Sequence, residues 1–489
     1  MSTLRINNIE AKSVPASPTL DEKIKLTNSS GDVLVHIDGK TSGITTIGIN
    51  TTDGNIKFDE NSNIVVTGII TATAFHGDGS NLTGIDASTL KFGGATKAQA
   101  NAAGVVISGI CTATSFSGDG SNLTGLSTPL SFRNLIINGA MLVDQRGDYS
   151  TNSSNASRQY GGPDRFHQYY YQSDETARYT FKQGGTGVSP VEQGFSRTAI
   201  LDVTTAQATV DITAGQAIWT SQRIEANNAS HLKYGHSDAE SVTLSFWIKS
   251  SVIGIYTIML NHTNMDERYI TTYTVNVADT WEKKTITFPG DTRSGKTIAA
   301  TNGYGLEVKW VWMAGSNRVA TPNEWATQGN KYGASGVTLA NIFSSASNNL
   351  YLTGVQLEIG TTATPFEHRS FGDELKRCQR YYYRFAQPQY SFFGVGNVDG
   401  GDAAQIFIDF PTEMRVKPTS LETTGTASNY LIRRESNKTC TSVPSIANFS
   451  TMNGLVNFTS SGHGWSDGQC IFGRSNSNDA YLGFAGAEL

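Results

Sequence analysis

The chain has 489 residues, 50 of them Gly, with 16% charged side chains and a formal net charge of −5. That length points to two to four domains, and the charged share falls well under the roughly 25% of an average globular protein. Without a Lys/Arg cluster the footprint of a nucleic-acid or acidic-membrane binder is excluded, and so are long charged amphipathic helices.

Residues 1 to 41 begin with Met1–Glu10, which has no apolar run of signal-peptide length, and no later segment is long enough to span a bilayer. Two strands, Ile24–Thr27 and Asp32–Asp38, are expected around the turn Asn28-Ser-Ser-Gly31. Gly68–Ile85 then recurs as Gly109–Leu126, offset by 41 residues and identical at 14 of 18 positions. Each copy is a short β segment, a Gly-Asp-Gly-Ser-Asn turn and Leu-Thr-Gly. One copy has too little apolar surface for a core of its own, so residues 42–128 are expected to form a stalk of three chains with Phe75, Leu82, Phe116 and Leu123 inward. Asp78–Asn81 has the oxygen-rich look of a calcium loop but lacks a following bidentate acid, and a tight turn accounts for it.

From 129 to 370 the pattern is one large β domain opened by Asn134–Val143. Ser241–Lys249, Tyr273–Val277 and Glu282–Phe288 alternate with period two, and Gly305–Trp312 places Leu306, Val308, Trp310 and Trp312 on one face. Tyr351–Ile359 closes the domain, with Tyr351, Thr353, Val355, Leu357 and Ile359 assigned to one face. Gly360 and Pro365 stop it. Ser370, with Asp373 three residues on, then caps a short helix carrying Leu375, Cys378 and Tyr382. Residues 371–489 comprise this helix and a second β domain containing the strand Ala404–Phe410. Its loops are rich in Gly, Ser and Asn, as at 423–429, 460–468 and 475–479.

Val355-Gln-Leu-Glu-Ile-Gly360, Ala363-Thr-Pro-Phe-Glu-His-Arg369, Leu375-Lys-Arg-Cys-Gln-Arg-Tyr-Tyr-Tyr383 and Pro411-Thr-Glu-Met-Arg-Val-Lys-Pro418 together resemble tail-fibre and receptor-binding proteins of bacteriophages, most of all those of phages infecting marine cyanobacteria. Ser245–Ser251 with Thr280–Phe288 resembles the jelly-roll carbohydrate-binding modules of polysaccharide-degrading enzymes, an analogy of fold alone. The resemblance implies an all-β, elongated trimeric fibre: an N-terminal virion-attachment module (1–41), a repeat-containing β stalk (42–128), a jelly-roll β-sandwich (129–370) and a C-terminal β tip domain (371–489). Its implied place is the virion tail. Its implied partners are two further copies of the chain, phage tail or baseplate proteins at the N-terminus, and host surface polysaccharide or lipopolysaccharide, with no nucleic acid and no membrane insertion.

No catalytic constellation emerges. Gly464-Trp-Ser-Asp-Gly468 matches a nucleophile elbow, but a strand is expected after it and no histidine follows Ser466, so it is read as a turn. The eight histidines are scattered and read as solvated, with no zinc spacing. Cys111, Cys378, Cys440 and Cys470 lack a Cys-x-x-Cys pattern and are too few for a disulfide framework, as suits folding in a reducing cytosol. No cofactor or metal is expected. Trp247, Trp281, Trp310 and Trp312 fall on strands and are assigned to core packing. Tyr169-Tyr-Tyr171 alternates faces, which exposes at least one ring or places it at a chain interface.

The expected function is adsorption to the host surface through glycan binding, without catalysis. A depolymerase acting on surface polysaccharide and a purely structural fibre are the alternatives. The ligand-binding residues expected are Tyr430, His463, Trp465 and Tyr481, aromatic side chains set among Gly, Ser and Asn in the distal domain. The jelly roll is the rival site.

Overall fold

The computed structural model describes residues 132–489 except 151–157, 172–176, 263–266 and 328, and earlier in the chain residues 23–38, 43–46, 71, 89–92, 95–101 and 104–112. The chain divides into two compact units, Met1–Gly118 and Asp119–Leu489.

In the first unit Lys23–Thr27 pairs antiparallel with Val33–Asp38, and Gly43–Thr46 extends the sheet. The connecting turn forms because Asn28 Oδ1 accepts from the backbone of Ser30 and Asp32, while Gly31 supplies φ +90°. Thr89–Phe92, Ala95–Asn101 and Gly104–Ile107 form a second small sheet. Most of both repeats, including Phe75, Leu82, Phe116, Leu123 and the Asp78–Asn81 loop, lies outside the described residues.

The described part of the second unit opens with an irregular buried segment. Leu135, Ile136, Met141 and Val143 are core residues, but Asn138 and Met141 have φ near +60°, which breaks any strand here. The sandwich strands follow: β1 (Tyr149–Ser150), β2 (Arg158–Tyr160), β3 (His167–Tyr171), β4 (Arg178–Gly184), β5 (Thr198–Thr205), β6 (Ala217–Glu225), β7 (Val242–Ser250). Then come β8 (Gly254–His262), β9 (Glu267–Val275), β10 (Glu282–Phe288), β11 (Tyr304–Ala314), β12 (Trp325–Thr327) and β13 (Asn349–Ile359). A six-stranded sheet runs β10-β7-β13-β5-β4-β1 and a seven-stranded sheet β12-β9-β8-β11-β6-β3-β2. Successive strands repeatedly cross from one sheet to the other, giving a jelly-roll sandwich.

Period-two patterning places the core between these sheets. Leu306, Val308, Trp310 and Trp312 of β11 all point inward and are buried, as expected. Inside, the Trp312 indole donates to Thr220 Oγ1 at 2.7 Å, and Thr220 donates to Gln168 Oε1 at 2.7 Å, a buried polar relay between β11, β6 and β3. On β13 the expected single face does not hold. Leu350 and Leu352 face inward, but so do Val355 and Leu357. A bulge opposite Ser245–Trp247, with Gly354 at φ +61°, switches parity between them and turns Tyr351 and Thr353 outward.

Helix α1 (Phe371–Gln379) begins where expected: Ser370 Oγ accepts from the Asp373 amide and donates to its carboxylate at 2.7 Å. It locks the sandwich to the C-terminal β domain. Glu374 accepts from the Asn138 amide at 2.6 Å, and Arg380 makes two bonds to the buried Glu225. Tyr381 also donates to Glu225, at 3.0 Å, with the Arg165 guanidinium 3.4 Å over its ring.

The C-terminal β domain contains β14 (Tyr383–Ala386), β15 (Phe392–Val398), β16 (Ala403–Asp409), β17 (Ser420–Glu422) and β18 (Tyr430–Arg433). It continues with β19 (Asn437–Thr439), β20 (Ser445–Phe449), β21 (Asn453–Thr459), β22 (Cys470–Ser475) and β23 (Tyr481–Ala485). Seven strands run β19-β18-β22-β15-β16-β21-β20, and three run β14-β23-β17. The core holds Phe393, Ile406, Tyr430, Val456, Phe458 and Phe484. All four cysteines are unbridged, and no described helix is long and apolar enough to cross a membrane.

Candidate functional site

The seven-stranded sheet has a second, outward face, and the candidate site lies there. Residues alternating with the core set converge on it by cross-strand register. Arg158 pairs with Tyr169, Tyr169 with Trp219, His167 with Ser221, Ser221 with Lys309, and Arg223 with Glu307. The segment after β11 folds over part of this face, packing Tyr332 and Ala334 against Trp219, Met259, Ile270 and Val311. What stays open is a shallow groove of about 170 Å³, where Tyr169, Tyr171, Trp219 and Tyr332 meet Arg158, His167, Arg223, Arg268, Glu307, Lys309 and Asn330. That is below the roughly 300–1,000 Å³ of enclosed small-ligand sites, so the groove can hold only part of a ligand.

Its apolar half is a pile of rings. Trp219 lies between Tyr169 (centroids 4.5 Å apart, planes at 10°) and Tyr332 (4.4 Å, 26°). Tyr171 sits 6.3 Å from Tyr169 and 5.8 Å from Tyr332, under the Arg318 guanidinium at 4.3 Å. Trp219 and Tyr332 are buried, whereas Tyr169 and Tyr171 are half-buried and offer the accessible ring surface. Tyr170, between them, points into the core, so the alternation expected of these three tyrosines is the one observed.

The polar half centres on Glu307, which is 1% exposed. Its Oε1 accepts from Ser221 Oγ at 2.8 Å and lies 3.4 Å from His167 Nε2, and its Oε2 lies 3.3 Å from Arg223 Nε and 3.4 Å from Lys309 Nζ. Burial raises the carboxyl's pKa, but Lys309, Arg223 and His167 outweigh it and hold the group well below the usual range. Burial lowers His167 to about 4 against the opposing pull of Glu307, so the imidazole is neutral at pH 7. Burial also lowers Lys309, to about 8, with Arg268 and Arg223 adding to the effect and Glu307 opposing it. The Lys309 ammonium lies 5.0 Å from the Trp219 ring centroid and 5.6 Å from that of Tyr332. Arg268 donates to the Lys331 carbonyl, with its guanidinium 5.2 Å from the Tyr332 ring.

The four residues expected from sequence to bind ligand lie in the C-terminal β domain and do not form one site. Tyr430 is fully buried in its core, with the hydroxyl donating to the Tyr481 carbonyl at 2.8 Å and accepting from the Thr424 amide at 3.0 Å. An exposed ring at this position is therefore ruled out: β18 turns Tyr430 and Ile432 inward. His463 is 5% exposed, with Nδ1 accepting from the Trp465 amide at 3.0 Å. Its ring stacks on that of Trp465 at 5.2 Å, and Trp465 is half-buried against the core. The Tyr481 hydroxyl donates to the Thr423 carbonyl, and Arg384 covers its ring at 3.8 Å.

Other expectations also need adjusting. His167 and His262 are buried beside Glu307 and Asp291, not solvated. Trp310 and Trp312 are core residues, but Trp247 and Trp281 are only half-buried. Trp247 helps line a hollow on the six-stranded sheet with Phe195, Phe366 and His368. Ser466 lies in a turn leading to β22, as expected. Among the described residues no three metal-ligating side chains cluster.

No family model matches the chain, and no curated protein does. Solved structures with a similar arrangement include a putative sugar binding protein from Bacteroides thetaiotaomicron (TM-score 0.26, 11% identity, covering 47% of this chain and 100% of that one). A family 11 carbohydrate-binding module from Clostridium thermocellum, in complex with a β-1,3-1,4-mixed-linked tetrasaccharide, gives TM-score 0.22 and 11% identity, covering 45% of this chain and 99% of that one. The enzymatically active domain of tailspike protein 4 of bacteriophage CBA120 gives TM-score 0.23 and 10% identity over 46% of this chain. The chain spans about a fifth, 21%, of that tailspike chain.

Proposed function

We propose that the protein is a phage tail fibre or receptor-binding protein that attaches to glycan on the host cell surface through the groove of its jelly roll. One observation carries the reading. Two half-exposed tyrosine rings, backed by the Trp219 stack, stand beside hydrogen-bonding and charged side chains in one open groove. Rings suit the C–H faces of a sugar, and the polar side chains suit its hydroxyls. In this account residues 1–41 join the chain to the phage tail or baseplate, the repeats form the stalk of a homotrimer, and three sites per fibre multiply a weak affinity.

Adsorption needs no catalysis. Glycoside hydrolysis as a rule uses two carboxyl groups. Glu307 is the single carboxylate among the described residues lining the groove, and it is held ionised, unsuited to act as a general acid. Affinity electrophoresis of the purified chain in gels containing bacterial surface polysaccharides tests the proposal. Retardation that Tyr169→Ala weakens supports it, and no retardation by any polysaccharide refutes it. Reducing ends released in the same mixtures would instead mark a depolymerase.

A further inference from the structure

We infer that the jelly roll carries a second sugar-binding site on its other sheet, where the hollow beside Trp247 receives a pyranose unit of a surface glycan. The inference rests on the reading of the chain as glycan-binding, but on none of the groove's side chains. Ser245 and Trp247 of β7, Lys283 of β10 and Gly354 of β13 place the hollow on the outward face of the six-stranded sheet. Its volume is about 310 Å³, at the lower end of the range for small-ligand sites. A β-bulge shapes it. The register of β7 against β13 shifts between Ser245 and Trp247, beside Gly354 at φ +61°, and bulges re-aim side chains and recur next to active sites. A β-carbon on Gly354 would lie 2.6 Å from the Phe195 ring and 3.0 Å from Trp247 Cδ1, so these two rings close on a position that has no side chain.

Burial sorts the lining into floor, wall and rim. Phe195, Ser245 and Gly354 are buried, Trp247 and Phe366 are half-buried, and Gln193, Lys283 and His368 are exposed. The rings of Phe195, Phe366 and His368 hold one another in place, with centroids 5.0, 5.5 and 4.9 Å apart. The polar groups, by contrast, are unengaged. Ser245 is 4% exposed, and its hydroxyl has no hydrogen-bond partner among the described residues. The side chains of Gln193, Trp247, Lys283 and His368 likewise make no hydrogen bond or ion pair among them. A buried hydroxyl without a partner is unfavourable. An apolar occupant would leave Ser245 in that state, whereas a sugar hydroxyl both donates and accepts. Ring surface for the C–H face of a sugar, with free donors and acceptors around it, is the combination a pyranose needs.

The test uses the full chain in gels containing purified bacterial capsular polysaccharides and lipopolysaccharide O-chains. Calorimetric titration with oligosaccharides cut from those that retard it then counts the sites. Two sites per chain are expected, one lost with Trp247→Ala and the other with Tyr169→Ala. Trp247→Ala should also weaken retardation roughly tenfold, the scale of one aromatic contact, and the double variant should lose retardation altogether. Near-ultraviolet circular dichroism would confirm the folds. If Trp247→Ala does not fold, His368→Ala at the exposed rim decides the matter, with a loss of several-fold expected. One site per chain that depends on Tyr169 alone, with folded Trp247→Ala and His368→Ala binding like the parent, would overturn the second site and leave the groove. Dependence on Trp247 without Tyr169 would keep the hollow and remove the groove. A folded Trp247→Ala chain that loses its oligomeric mass in light scattering would mark this face as a contact between copies and overturn the inference. Absence of all binding would remove both sites.

Discussion

Lys309→Met separates what the groove does for stability from what it does for binding. Lys309 is 2% exposed, and its pKa is lowered from 10.5 to about 8 by burial first, with the nearby arginines adding to the effect. A drop of that size corresponds to about 3 kcal/mol at about 1.4 kcal/mol per unit. The folded protein gives up this proton more readily than the unfolded chain. Between pH 8 and 10.5 the unfolded chain therefore binds more protons, and this group's contribution to stability rises with pH. Below pH 8 the charged lysine lowers stability by the full amount, with its attraction to Glu307 already included. Met has a similar length and no charge. Lys309→Met should therefore be the more stable protein at pH 7, by about 3 kcal/mol. For an m-value of about 2–3 kcal/mol per molar, that moves a urea midpoint by about 1 M. The gap should close as pH rises from 8 to 10.5. A variant less stable than the parent at pH 7, with a difference that ignores pH, would refute the reasoning.

Tyr169→Ala, at a half-exposed ring backed by Trp219, should weaken glycan binding roughly tenfold with little loss of stability, measured by affinity electrophoresis and thermal melting. Tyr430→Phe removes a hydroxyl paired with the Tyr481 carbonyl and the Thr424 amide, so it should lower stability by about 1–2 kcal/mol and leave glycan binding unchanged. Gly354→Ala places a methyl group 2.6 Å from the Phe195 ring at φ +61°, and a loss of about 1–3 kcal/mol in denaturant unfolding is expected. Light scattering on the full chain should give three times 52.6 kDa, and a stable monomer at micromolar concentration would refute the trimer.

Much of the β architecture was legible because it is written locally. The alternation of Leu306, Val308, Trp310 and Trp312, the Asn28–Gly31 turn and the Ser370 cap each depend on a few neighbouring residues. The parity switch on β13 was not, since Gly354 shows its left-handed backbone only once a bulge against β7 is formed. The groove was hidden for a related reason. Glu307 and Lys309 occupy the non-core positions of an alternating strand, which sequence reading gives to solvent. Their partners Arg158, His167, Tyr169, Trp219 and Arg268 arrive from four other strands by register. Polar residues set between large apolar ones, as in Leu306-Glu-Val-Lys-Trp310, were the available signal. Tyr430 misled in the opposite direction. The composition around it suggests an open loop, but Tyr430 and Ile432 share the inward face of a short strand.

The most direct measurement is hydroxyl-radical footprinting of the full chain with and without a bound surface polysaccharide. Side-chain oxidation reports which rings the ligand covers. The account predicts protection of Tyr169 and Tyr171, with Trp465 oxidised as readily as before. Protection of Trp465 with unchanged reactivity at the two tyrosines would contradict it and return the site to the C-terminal β domain.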